Sequence, residues 1–159
     1  MEKEVFLSQR FTSLLKQIPT DTPPAWGKMT LQQMVEHFAD STRIASGRKK
    51  ITEIVTPPEQ LEKMRAFCLS EKPFRENTPN PLMPEVPAPV VNHSVEGAIT
   101  ELQKELDYFF RYFRENPLAV TRNPFFGDLN FNENVHLLYK HALHHLKQFG
   151  ITIHNETTA

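Results

Sequence analysis

Between residues 3 and 18 the apolar positions Phe6, Leu7, Phe11, Leu14, Leu15 and Ile18 recur at spacings of three and four. That period lays them along one face of a helix, so an amphipathic helix is expected there. Pro19, Pro23 and Pro24 end it, because proline lacks an amide proton and its ring blocks the preceding turn. Thr30 then precedes a second periodic run with Gln33 three residues on, the signature of a capping box. This predicts a helix over about 31–46, with Gly47 as its stop. Ser94 can cap a third helix over about 95–116, carrying Ile99, Leu102, Leu106, Phe109, Phe110 and Phe113 and ended by Pro117. Asn130 with Glu133 repeats the cap signature before a fourth helix over about 131–149, stopped by Gly150.

The stretch from 48 to 93 breaks this rhythm. Eight of the 13 prolines lie between Pro57 and Pro89, which forbids regular helix or central strand over most of it. Pro57-Pro58 can open a short helix through Leu61, Met64, Phe67 and Cys68. The remainder keeps Leu82, Met83, Val86, Val90 and Val91, too apolar for a free linker, so it reads as an ordered strap across the helices. Asn123 to Asp128 reads as a turn with two aromatics to bury, and no stretch alternates over strand length. The expectation is a single all-α domain over 1–159, a four-helix bundle with one long crossover between its second and third helices. A crossover of that length permits those two helices to run parallel.

Composition narrows the function classes. With 18 Lys+Arg against 19 Asp+Glu, no basic excess points to nucleic acid or an anionic membrane. Cys68 is the one cysteine, which excludes an intramolecular disulfide and a cysteine-rich zinc site and fits a reducing compartment. The first residues lack the basic and apolar pattern of a secretory leader, and no apolar run approaches the ~18 residues of a membrane span. A soluble cytoplasmic protein is therefore expected.

Chemistry concentrates in the histidines. Four of the seven fall between His136 and His145. Successive helical residues rotate by roughly 100°, which places His37 about 80° from the stripe of Leu31, Met34, Phe38 and Ala45. On the fourth helix His141 lies about 90° and His145 about 50° from the stripe of Phe131, Val135, Leu138, Ala142 and Phe149. His141 and His145, at i and i+4, project one turn apart and can share one ion, with His37 as third ligand. Three neutral nitrogens with open positions are the catalytic rather than the structural metal pattern. Gln148 on the same flank, His144 at i+3 from His141 and Asp40 one turn from His37 are candidate orienters or substrate contacts, and Trp26 is a candidate for shaping the pocket. His136 is expected on the polar face, His93 just before the Ser94 cap and His154 in the tail.

Other readings fare less well. Glu133-x-x-His136 has di-iron spacing, but both residues face away from the apolar stripe and no second such motif exists. Cys68 has no nucleophile motif around it, and the five glycines form no phosphate loop. Two rivals to a metal enzyme remain: a non-enzymatic ligand- or partner-binding bundle with structural histidines, and a metal held only for stability.

The run from Tyr139 through His141, His144, His145 and Gln148 to Gly150 resembles the last helix of the DinB-like (YfiT-like) superfamily, in particular a branch known only as a domain of unknown function. Trp26-Gly27-Lys28-Met29-Thr30 leading to His37 resembles the start of that branch's second helix, and Asn123-Pro124-Phe125-Phe126-Gly127 the turn before its last. There the family often shows His-Pro-x-Phe-Gly, so Asn123 is a departure. The resemblance covers most of the chain except the strap. It implies an up-down-down-up bundle and one divalent ion, zinc or nickel, on His37, His141 and His145. It further implies a thiol transferase using a small-molecule thiol co-substrate, or a hydrolase, and pairing as a homodimer.

Overall fold

In the computed structural model, which describes residues 2–76 and 87–153, the chain is mostly helical. The first rod is α1 (Glu2–Val5), a π-helical turn (Phe6–Arg10) and α2 (Phe11–Lys16) in continuous succession. It stops short of the expected residue 18, where Gln17 and Ile18 tighten onto the carbonyls of Leu14 and Leu15. The π turn was not legible in the periodicity. Its wider loop, closed by the Phe11 amide on the Phe6 carbonyl, lets two aromatics five residues apart face the same way. Phe6 and Phe11 accordingly stack at 6.1 Å and are both buried.

The helices α3 (Leu31–Ser46), α4 (Pro58–Leu69), α5 (Val95–Glu115) and α6 (Phe131–Gln148) follow. Their ends are set as the caps predict. Thr30 and Gln33 close a full capping box, as do Asn130 and Glu133, and the Ser94 hydroxyl accepts from the Gly97 amide. Gly47 ends α3 at φ 78°, a conformation that glycine adopts without a Cβ penalty. One core joins Leu7, Phe11 and Leu15 to Met34 and Phe38 of α3, Leu102 and Phe109 of α5, and Leu138 and Leu146 of α6. Each such side chain removed from water contributes about 1.5–3 kcal/mol before the entropy of ordering is counted.

Cross-helix contacts give the helix directions. Gln32 and Glu36 reach Asn92 while Arg43 reaches Glu101 and Glu105, so contacts advance together along α3 and α5. Lys3 meets His136 and Phe6 meets Tyr139, so the first rod and α6 also run in one sense. Thr121, bonded to Asn134, bonds the Ala45 carbonyl near the end of α3, whereas His37 near its start meets His141. Helices α3 and α6 are therefore antiparallel.

Two features depart from expectation. Thr121–Asn123 (β1) and Gly127–Leu129 (β2) form an antiparallel hairpin with Arg122 opposite Asp128, where only a turn was expected. Three residues a side are too few for an alternation signal. Asn123 Oδ1 accepts from the amides of Phe125 and Phe126, so Asn123 builds this turn. In the described part of the strap, which includes α4 and residues 87–93, Val90 and Val91 do not bury: they are 47% and 82% exposed. The backbone docks instead, through amides of Val91 and Asn92 on the Glu36 carboxylate. Burial alone would raise the Glu36 pKa, yet those hydrogen bonds hold it below the usual value. The expectations placed on Pro79, Pro81, Leu82, Met83, Pro84 and Val86 lie outside the described residues, as does His154. Among the described residues no helix is long and apolar enough to cross a membrane.

Candidate metal centre

Helix α3 brings His37 to α6 because Met34 and Phe38, on either side of it, are fully buried in the shared core. From α6, His141 and His145 project one turn apart. His37 Nε2 lies 3.3 Å from His141 Nε2, and His145 Nε2 lies 2.8 Å from the same atom. One ligand atom from each of the three lies within 4.8 Å of the other two. Two nitrogens bound at about 2.05 Å with tetrahedral angles sit roughly 3.3 Å apart, which the His37–His141 separation matches, while the 2.8 Å between His141 and His145 is a hydrogen-bond distance. The structure thus brings together the three histidines singled out from the sequence, close enough to bind one metal ion.

The electrostatics favour ligation. Burial pushes His37 below its ordinary value, with Asp40 opposing and His144 adding to the shift. Burial also holds His141 well below the usual range, aided by His145 and His37. His145 is pushed down to about 3 by burial, with His37 adding and the Gln148 hydrogen bond opposing. All three imidazoles are therefore neutral at pH 7, the form that binds a metal.

Around the triad, His145 Nδ1–H donates to Gln148 Oε1 at 2.7 Å, and Gln148 Nε2 donates to the Trp26 carbonyl at 2.9 Å. The His145 proton is thereby placed on Nδ1 and its Nε2 lone pair is free. The short His141–His145 contact then needs its proton on His141 Nε2, the position an ion would take over. Phe38 stacks on His141 at 4.7 Å. His144 is not part of the converging set: its ring lies between Trp26, at 5.2 Å, and Phe74, at 6.3 Å.

One candidate finds ion-pair partners of its own, and one expectation is corrected. Asp40 does not hydrogen-bond to His37; its carboxylate is taken by Lys49 at 2.9 Å and faces Arg43. A turn of α3 puts both residues on neighbouring positions, but the basic segment after Gly47 captures the acid. His136 is not simply solvated either: Lys3 donates to its Nδ1 and its Nε2–H donates to the Ser70 carbonyl, each at 2.8 Å. The helical wheel puts it outside the stripe, where the first rod and the end of α4 cover it. Glu133, the other half of the discarded di-iron spacing, is engaged by Arg65 at 2.8 Å.

Sequence reasoning missed Lys140. The residue is 7% exposed, and its ammonium donates to the carbonyls of Phe67, Cys68 and Ser70 and lies over the rings of Phe67 and Phe74. It caps α4 and holds that helix against α6 one residue from a ligand. No signal in a single sequence marks a lysine as buried.

No protein-family model, curated protein or solved structure matches the chain. The site's geometry therefore carries the functional reading.

Proposed function

We propose that this chain is a divalent-metal-dependent enzyme of the DinB-like type, a four-helix bundle in up-down-down-up order that acts on a small molecule by transfer or hydrolysis. The observation that carries the reading is the convergence of three neutral imidazoles from α3 and α6, with His145 already in the ligating tautomer. The helix directions support the topology: the first rod and α6 run one way, α3 and α5 the other. An all-imidazole donor set suits zinc or nickel.

When bound, the ion supplies Lewis acidity that lowers the pKa of a thiol or a water at its open positions. The chain's own residues do the rest. His37, His141 and His145 hold the ion, Phe38 fixes the plane of His141, and Trp26, His144 and Phe74 form the aromatic neighbourhood beside the ligands. One observation favours the rival of structural histidines: the 2.8 Å His141–His145 contact and the Gln148 bond satisfy His145 without an ion.

An activity screen separates the two. Zinc- and nickel-loaded protein is assayed on thiol-acceptor pairs and on ester and amide substrates, beside a His141→Ala, His145→Ala variant. Metal-dependent turnover lost in the variant is expected. Full activity in the variant sinks the enzyme reading.

A further inference from the structure

Gln148 connects the metal centre to the loop between the first rod and α3. It is 4% exposed and uses both ends of its amide: Oε1 accepts from His145 Nδ1 at 2.7 Å, and Nε2 donates to the Trp26 carbonyl at 2.9 Å. Its backbone carbonyl also accepts from the Ala25 amide at 2.8 Å. The loop passes so close that a Cβ on Gly27, where φ is +78°, would meet Gln148 Nε2 at 3.4 Å. The Trp26 ring then lies 5.2 Å from His144, next to the ligand His145.

The two ends of the amide are not interchangeable. Turning it over sets NH2 against the Nδ1–H of His145 and oxygen against the Trp26 carbonyl, two donor–donor and acceptor–acceptor clashes. The Trp26 carbonyl therefore decides which way the amide points. The amide in turn decides that His145 carries its proton on Nδ1 and offers Nε2 to an ion. Linkage is reciprocal: a loop that favours the ligating tautomer is itself favoured when the ion is bound.

We propose that Gln148 is a positioning residue that couples occupancy of the histidine triad to the placement of the Trp26 loop. The inference rests on the metal reading above and deepens it: the loop beside the site responds to whether the ion is there. Two substitutions divide the role. Gln148→Leu removes both hydrogen bonds. Gln148→Glu keeps an acceptor for His145, as carboxylates beside metal-bound histidines commonly do, but has no donor for Trp26.

The experiment is a zinc titration of the full chain and both variants, read by competition with a chelating dye and by emission from Trp26, the chain's single tryptophan. Far-UV circular dichroism confirms that each variant is folded. Expected results are a zinc-dependent change in Trp26 emission in the unaltered chain and roughly ten- to hundredfold weaker zinc binding by Gln148→Leu. Gln148→Glu is expected to keep its affinity and lose the emission change. Equal affinity in Gln148→Leu, or an unaltered emission change in Gln148→Glu, overturns the coupling while leaving the metal reading intact. An unaltered chain that binds no zinc or nickel removes both.

Discussion

The ring of Phe38 stacks on the imidazole of His141, centroids 4.7 Å apart and planes within 28°. Phe38 is fully buried and also touches Phe11 at 4.8 Å, so the hydrophobic core itself sets the plane of a candidate ligand. Replacing Phe38 by alanine is expected to cost roughly 3–5 kcal/mol of stability in urea unfolding. The milder Phe38→Leu is expected to keep the fold but weaken zinc binding, because His141 loses its stacking face. Leucine variants with unchanged affinity contradict a role for the stack in presenting His141.

Lys140 is the second residue whose loss has a defined consequence. Its ammonium serves three carbonyls at the end of α4, and Lys140→Met leaves those acceptors without their donor. A loss of roughly 1–3 kcal/mol is expected, with faster amide hydrogen exchange in α4 than in α3 or α5. Uniform exchange across all helices would show that Lys140 does not hold α4 in place.

Acid should destabilise the metal-free chain before carboxylates begin to titrate. His141 and His145 remain neutral when folded because burial lowers their pKa values, His145 to about 3. Unfolded histidines take up protons near pH 6.5, so the unfolded state binds more protons below that value. The stabilising contribution is thus present above about pH 6.5 and falls with pH by about 1.4 kcal/mol per unit for each such histidine. Denaturation between pH 7 and 5 should show this slope, and the His141→Ala, His145→Ala variant should be flatter. Identical slopes contradict neutral burial of the pair.

Cys68 behaves in the opposite sense. Burial pushes its thiol up to about 11, partly opposed by Lys140 and Arg65. The folded chain keeps this proton where the unfolded chain has begun to lose it, so stability falls as the pH rises above about 9. At pH 8 the native thiol should react with a disulfide reagent at least a hundredfold more slowly than the urea-unfolded chain. Comparable rates would show that Cys68 is accessible.

Much of this architecture was legible in the sequence because local chemistry and tertiary placement agree. The Thr30–Gln33 and Asn130–Glu133 boxes and the Ser94 cap start their helices where written. His37, His141 and His145 flank stripes that bury, so the rotation argument brought them together. Whatever depends on a distant partner was not legible. Asp40 turned to Lys49, His136 was covered by Lys3 and Ser70, and Lys140 was buried by the end of α4. The hairpin at Thr121 was too short for periodicity, and the π turn placed aromatics at a spacing that a 3.6 period does not test. Gln148 was found as a neighbour of His145, but its hold on Trp26 reaches across 122 residues of sequence.

The central claim is that His37, His141 and His145 hold one ion. Metal content per chain, measured by mass spectrometry on tag-free protein beside the His37→Ala, His141→Ala, His145→Ala variant, tests it most directly. About one zinc or nickel per chain, absent from the folded variant, is the predicted result. No metal in either protein, and no uptake after zinc or nickel is added, would contradict the account and leave a helical domain whose histidines serve only each other.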